Sequence, residues 1–237
     1  MELAKSQVEA LPYLDKPDPW SSHALVKDFL MALPEGTRVL DVGTATGTLG
    51  RMCVGHRLIL HGIEPQLAWA EQARPYYDKI ICCELDEAPE SFLKGYDAII
   101  LADVLEHLQD PEQSLQWLAS LQMPDAQFII SVPNIANLWI RLNLLAGRFN
   151  YTPRGILDRT HLRFFTRYTF LQMLENCGLQ VQHMSVTPVP LNLIHPFFQT
   201  HPVGRFFHTS LAHITRWIPT LLGYQFFVVT GLKNNGR

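Results

Sequence analysis

Apolar positions along this chain follow two rhythms, and the order in which they alternate predicts the fold. The runs "RVLDV", "RLILHGIE", "KIICC", "YDAIILAD" and "AQFIISVP" are apolar on consecutive positions, as strands buried on both faces should be. Between them, "PQLAWAEQAR" and "PEQSLQWLASL" carry apolar residues at helical spacing. Ser21 and Ser22 can cap a first helix that runs through Leu33 to "PEG". Pro65 and Pro111 suit first helical turns, the second behind a capping Asp110. The alternation predicts an α/β protein with a mostly parallel sheet and helices on both faces.

In such a sheet ligands sit beyond the carboxyl ends of the strands. Asp41, Glu64, Glu84 and Asp103 each fall at or just past a strand end, so they should converge on one rim. From about residue 134 the rhythm changes to a helix and an Arg- and aromatic-rich loop. Thr166 then caps "RYTFLQMLENC", which Gly178 stops, and "LQVQHMSV" and "YQFFVVTGLK" read as two late strands. Between those strands, Phe207, Leu211, Ile214, Ile218 and Leu221 form a helical stripe. It is expected to pack as a cover over a pocket, with a membrane surface or a dimer face as alternatives. The expected organisation is an N-terminal lid over residues 1–22 and one domain over 23–237. Insertions at about 134–165 and 188–222 would shape a second binding site.

The chain has 237 residues, 47% of them hydrophobic, enough for one substantial core. Its formal charge of -3 argues against a general nucleic-acid binder. Cys53, Cys82, Cys83 and Cys177 show no C-x-x-C pair, which favours reduced thiols and a cytoplasmic location. The first twenty residues have scattered charges and no apolar core, so no signal peptide is expected. No apolar run approaches the roughly 20 residues that span a bilayer.

The chemistry begins at "VLDVGTATGTLG". A dinucleotide site needs G-x-G-x-x-G, whereas the glycines here are Gly43, Gly47 and Gly50. Asp41 would face any phosphate with like charge. S-adenosylmethionine carries an ammonium and a sulfonium and no phosphate, so it suits the acid better. Glu64 can accept both ribose hydroxyls, Glu84 can reach the adenine amino group, and Asp103 lies near the methionine portion.

Those residues, with "GIEP", "CCELDEAP", "YDAIILADVLEHLQDPE" and "THLRFFTRYTFLQMLENCGL", resemble the class I S-adenosylmethionine-dependent methyltransferases over roughly residues 20 to 185. The resemblance implies a Rossmann-like, seven-stranded sheet whose last strand is antiparallel. It implies a cofactor pocket lined by Asp41, Gly43, Thr44, Gly47, Glu64, Glu84, Leu85 and Ala102. The chain departs from the commoner pattern at Ala45, where a third glycine is frequent, and at Glu84, where Asp is usual.

In "DVLEHLQDP", Asp103, Glu106 and His107 stand at i, i+3 and i+4, one face if the segment is helical. The stretch resembles the ubiquinone-pathway O-methyltransferases, where the matching acid, acid and His are associated with a divalent ion. Here His107 is expected as base or substrate contact, with Asp103 beside it, and no metal ligand set is assigned. Asp158 and His161 could form a second acid/base pair or tie their loop down.

Arg141, Arg148, Arg154, Arg159, Arg163 and Arg167 cluster with Tyr151 and other aromatics, with Asp158 the only acid among them. Guanidinium forks suit phosphate or carboxylate, so Arg141, Arg148, Arg163 and Tyr151 are expected to bind an anionic acceptor. The stretch "ANLWIRLNLLAGRFNYTPRGILDRTHLRFFT" also resembles a methyltransferase branch found with bacterial glycan-assembly enzymes, which implies a sugar-containing acceptor. Rival readings are an RNA or protein methyltransferase and a non-catalytic cofactor-binding partner protein. His195, His201, His208 and His213 lack helical metal spacing and read as surface or packing residues.

Overall fold

Seven strands form one sheet in the computed structural model, which describes residues 18–233. The expected lid lies outside the described residues except for its last five positions. The strands are β1 (Arg38–Val42), β2 (Ile59–Ile63), β3 (Lys79–Ile81), β4 (Ala98–Ala102), β5 (Gln127–Pro133), β6 (Leu179–Thr187) and β7 (Gln225–Leu232). Their order is β3-β2-β1-β4-β5-β7-β6. All pairings are parallel except those of β7, which runs antiparallel to both β5 and β6.

The consecutive apolar runs have a direct physical cause. Alternate residues of a strand point to opposite faces, and each face carries its own core. Leu40, Val42, Ile99, Leu101 and Ile130 enter one cluster, and Val39, Ile100 and Ile129 enter the other. Helix ends follow local chemistry as expected. Ser21 accepts from the Ala24 N–H at 3.2 Å, Asp110 from Gln113 at 3.0 Å and Thr166 from Thr169 at 3.2 Å. Gly178 stops its helix at φ 71°.

Two expectations fail here. Pro65 does not open its helix, which spans Leu67–Ala73 behind Gln66. The cause is Glu64, whose carboxylate accepts the Gln66 N–H at 3.0 Å and holds that residue extended. The stripe in the helix Pro202–Trp217 does not pack inward either. The helix buries Gly204, His208, Ala212 and Thr215, leaves Phe207 and Ile214 exposed and Leu211 half-buried, and beyond it Ile218 is exposed and Leu221 half-buried. Gly204 sets that rotation, because a Cβ there would meet the Phe197 carbonyl oxygen at 2.2 Å.

The order reverses direction between β1 and β4, which opens the crevice where α/β sheets take ligands. β5 ends where β7 begins, with Pro133 opposite Gln225, and β6 ends opposite the same residue at Thr187. Segments 134–166 and 188–224 therefore both leave the sheet on the rim that carries the crevice.

Candidate active site

The glycine turn after β1 is stapled to the next strand. Gly43 and Thr44 donate backbone N–H groups to the Ile63 carbonyl at 2.9 and 3.1 Å. Ala45, at φ 46°, donates to Glu64 at 2.8 Å. Each Glu64 oxygen thus accepts one amide, from Ala45 or Gln66, and keeps acceptor capacity for a ligand hydroxyl. Burial raises the Glu64 pKa, and the two amide hydrogen bonds oppose that shift. Gly47 sits at φ 82°, and a Cβ there would meet the Ala73 Cα at 2.7 Å. Only glycine lets this turn and the helix Leu67–Ala73 close together.

Asp41 is buried beneath the turn and accepts from the Tyr77 hydroxyl at 2.5 Å. Burial pushes its pKa up to about 7, against the pull of the Tyr77 hydrogen bond. Thr44 is buried against Gly62, where a Cβ would meet the Thr44 methyl at 2.4 Å. Leu85 belongs to a core cluster, Ala102 is half-buried, and Glu84 is exposed ahead of the turn Leu85–Glu87.

Asp103, Glu106 and His107 do not share a face. Asp103 has φ 59°, and its Oδ1 accepts from Ser131 and from Gln225, both at 2.7 Å. Only the single 3-10 turn Leu105–His107 follows. The partner that joins Glu106 and His107 instead is His161. His161 Nε2 lies 4.0 Å from Glu106 Oε1, and the two imidazoles meet edge-on at 4.8 Å. Leu162 and Arg163 N–H groups both donate to the Glu106 carbonyl, which fastens the later loop to this turn.

Of the two readings of Asp158 and His161, the side-chain contacts of Asp158 match the loop tie rather than an acid/base pair. Asp158 accepts from Thr160 N–H and hydroxyl at 2.8 and 2.7 Å and ties its own loop.

Proton positions in the two imidazoles follow from their partners. His107 Nδ1 faces the Thr160 carbonyl at 3.2 Å and His161 Nδ1 the Ile156 carbonyl at 3.1 Å. A carbonyl only accepts, so Nδ1 donates in each ring and Nε2 is the position left open to a ligand. Burial, then the neighbouring His161, lowers the His107 pKa and keeps the ring neutral. Both Glu106 oxygens are buried without a hydrogen-bond partner. Burial and Asp103 hold that carboxyl well above the usual range.

Glu106, His107 and His161 each offer one ligand atom within 4.8 Å of the others, and a carboxyl group with two imidazoles fits a divalent ion of borderline softness. The carbonyls behind both Nδ1 atoms are the usual outer support of such a site.

An aromatic ladder leads outward from the histidines. His161 meets Phe164 at 6.3 Å, Phe164 meets Phe149 at 5.9 Å, and Phe149 meets Tyr151 at 5.5 Å. Arg148 is exposed on the same loop. Arg141 donates from Nε to the Ala136 carbonyl at 2.6 Å, and Arg163 donates to the Gln109 carbonyl, so each anchors a loop with part of its guanidinium. A cleft beside Asp103 is lined by Asp18, Trp20, Thr187, Asn192, Tyr224 and Gln225. Ser131, Tyr77 and Gln225 were not foreseen as site residues, although a polar residue inside "FIISVP" or "YQFFVVT" is the kind of signal that marks one.

A family model described as a methyltransferase domain matches residues 20–184. The human mitochondrial ubiquinone biosynthesis O-methyltransferase is 30% identical over 162 residues, covering 62% of this chain and 42% of that protein. The Coxiella burnetii ubiquinone biosynthesis O-methyltransferase is 25% identical over 155 residues, covering 62% and 65%. The chain thus spans less than two thirds of the length of these relatives.

Among solved structures, magnesium protoporphyrin IX methyltransferase from Synechocystis, with bound SAH, superposes at a TM-score of 0.59 and 15% identity. That match covers 90% of this chain and 84% of that one. A SAM-dependent methyltransferase from Archaeoglobus fulgidus gives 0.58 at 16% identity, covering 88% and 94%. These two share the fold. With the family model spanning the glycine turn, the rim acids and the capped helix after residue 166, this chain belongs to the S-adenosylmethionine-dependent methyltransferase domain family.

Proposed function

We propose that the chain transfers the sulfonium methyl of S-adenosylmethionine to a hydroxyl of a small anionic acceptor, one containing a sugar or an acid. The observation that carries this reading is His107, a neutral imidazole with a free Nε2 on the rim beyond β4. The acceptor oxygen forms a bond to the methyl carbon as the carbon–sulfur bond breaks. The hydroxyl proton passes to His107 Nε2, and S-adenosylhomocysteine leaves. Sulfonium is already an excellent leaving group, so positioning and water exclusion supply much of the acceleration.

In this reading Gly43, Gly47, Glu64 and Glu84 line the cofactor. Glu64 takes the ribose hydroxyls with the lone pairs its two amide donors leave open. Tyr151 and Arg148 recognise the acceptor's anionic group, and Arg141 and Arg163 shape the loop that presents them.

A second reading of the same centre rests on the orphaned Glu106 oxygens. Glu106, His107 and His161 would hold a divalent ion, which would polarise the acceptor oxygen as a Lewis acid.

Calorimetric titration with S-adenosylmethionine and S-adenosylhomocysteine, with NAD as control, tests the cofactor assignment. Micromolar binding of the first two is expected, followed by methyl transfer in a screen of anionic sugars and acids. Binding without transfer to any acceptor would favour a non-catalytic partner protein.

A further inference from the structure

Charge is divided along this chain in a way the total of -3 hides. Of 22 acids only Asp158 and Glu175 lie beyond residue 125, against ten of the 19 Lys and Arg. No acid at all follows Glu175. The cationic half supplies the two segments that rise from the crevice rim, and both carry exposed apolar helices. On the helix Pro202–Trp217, Phe206, Phe207, Ile214 and Trp217 stand in solvent, Trp217 at 88% exposure. Arg205 and Arg216 flank them. On the helix Leu138–Leu145, Trp139, Leu142 and Leu145 are exposed beside Arg141.

The two helices share one corner. Asn134 donates its side-chain amide to the Thr220 and Gly223 carbonyls, and Asn137 donates to those of Leu222 and Gly223. The start of one helix is thereby bolted to the turn that ends the other segment.

We infer that this corner docks on an anionic lipid bilayer, with its aromatics in the headgroup boundary and its arginines on the lipid phosphates. Charge selects that occupant. A second copy of the chain seated on the same face would set Arg205 and Arg216 against like charges, and the one acid on either segment, Asp158, is already tied to Thr160 in its own loop. A surface of anionic headgroups complements every charge the face carries. Exposed Trp and Phe beside Arg on a helix too short to cross the membrane are the composition of a helix lying in the interface. The docked corner is on the rim of the crevice, so a bound enzyme would meet acceptors held at the membrane surface.

Flotation of the purified protein with phosphatidylcholine vesicles, with and without phosphatidylglycerol, tests this. Binding is expected only to the anionic vesicles and should fall as salt rises. Arg205→Gln should weaken the partition roughly fivefold, and Phe206→Ser with Trp217→Ser should abolish it. Unchanged S-adenosylhomocysteine affinity in these variants shows that they are folded.

No association with anionic vesicles at low salt overturns the inference, as does equal binding to both vesicle types. A dimer in sedimentation velocity that Trp217→Ser disperses, without vesicle binding, assigns the face to a second copy instead. None of these outcomes depends on which acceptor is methylated.

Discussion

The Tyr77 hydroxyl donates to Asp41 at 2.5 Å and accepts from the Gly50 N–H at 3.2 Å. The acid of β1 is thereby tied to the helix Thr48–Met52 that follows the glycine turn. With a folded pKa of about 7 against an ordinary 3.8, the folded chain holds a proton that the unfolded chain has lost across that window. This contribution to stability is full below 3.8 and disappears as pH rises through 7. Asp41→Asn keeps an acceptor for Tyr77 and removes the charge. The variant should unfold with a flatter pH dependence between 4 and 7. At pH 8 it should be more stable than the parent by about 4 kcal/mol, read in urea melts. Equal slopes in the two proteins would show that Asp41 stays ionised.

The same acid gives a prediction about the cofactor. If Asp41 faces the ammonium and sulfonium of S-adenosylmethionine, a bound cation holds it ionised. Binding should then release a proton near pH 6.5, and affinity should rise through pH 7. Calorimetry in two buffers of different ionisation enthalpy measures that proton. Asp41→Asn should lose both the proton release and part of the affinity.

Gly47→Ala should be costly in a different way. Its φ of 82° disfavours any side chain, and the added carbon would meet Ala73 backbone rather than a movable side chain. A loss of about 1–3 kcal/mol in stability is expected, with a weaker cofactor titration. Gly55, also at positive φ but with open space around it, is the control. Gly55→Ala should cost less and leave the cofactor untouched.

The strands, the caps and the convergence of acids on one rim were legible in the sequence because each follows from spacing within a few residues. Thr166 finds its partner three positions away, and consecutive apolar runs need only two cores to receive them. What the sequence left open depends on distant neighbours. Asp103 is taken by Ser131 and Gln225, 28 and 122 positions along the chain. Glu106 is joined by His161. The Phe207 stripe has the right spacing to pack inward, but spacing cannot say which face of a helix wins. The close approach of Gly204 to Phe197 turned it outward.

His107→Ala should leave S-adenosylhomocysteine affinity nearly intact and slow turnover by roughly 10²–10⁴-fold. Because burial and His161 lower the imidazole pKa, the acid limb of kcat/KM should lie below the ordinary histidine value of 6.5. Protonation of Nε2 stops turnover as pH falls through that lowered value, and the limb should vanish in the variant. A pH profile that keeps its acid limb in His107→Ala would assign the proton to another group.

Glu106 separates the base reading from the ion reading. Its two oxygens are buried without partners and its carboxyl is held well above the usual range, so without an ion it is a neutral acid beside His161. A divalent ion held by Glu106, His107 and His161 would displace that proton. At a hundred times its Kd, an ion that binds only the folded chain stabilises it by about 2.7 kcal/mol. In a domain of this size that raises the melting temperature by roughly 5–10 °C. Manganese or zinc added to chelator-treated protein should produce that shift, with release of a proton. Glu106→Gln and His161→Ala should each abolish it. An unshifted melting temperature with either metal leaves His107 as the base and Glu106 as the neutral group that positions His161. Glu106→Gln should then retain most of the turnover, since the amide copies the shape and neutrality of the protonated acid.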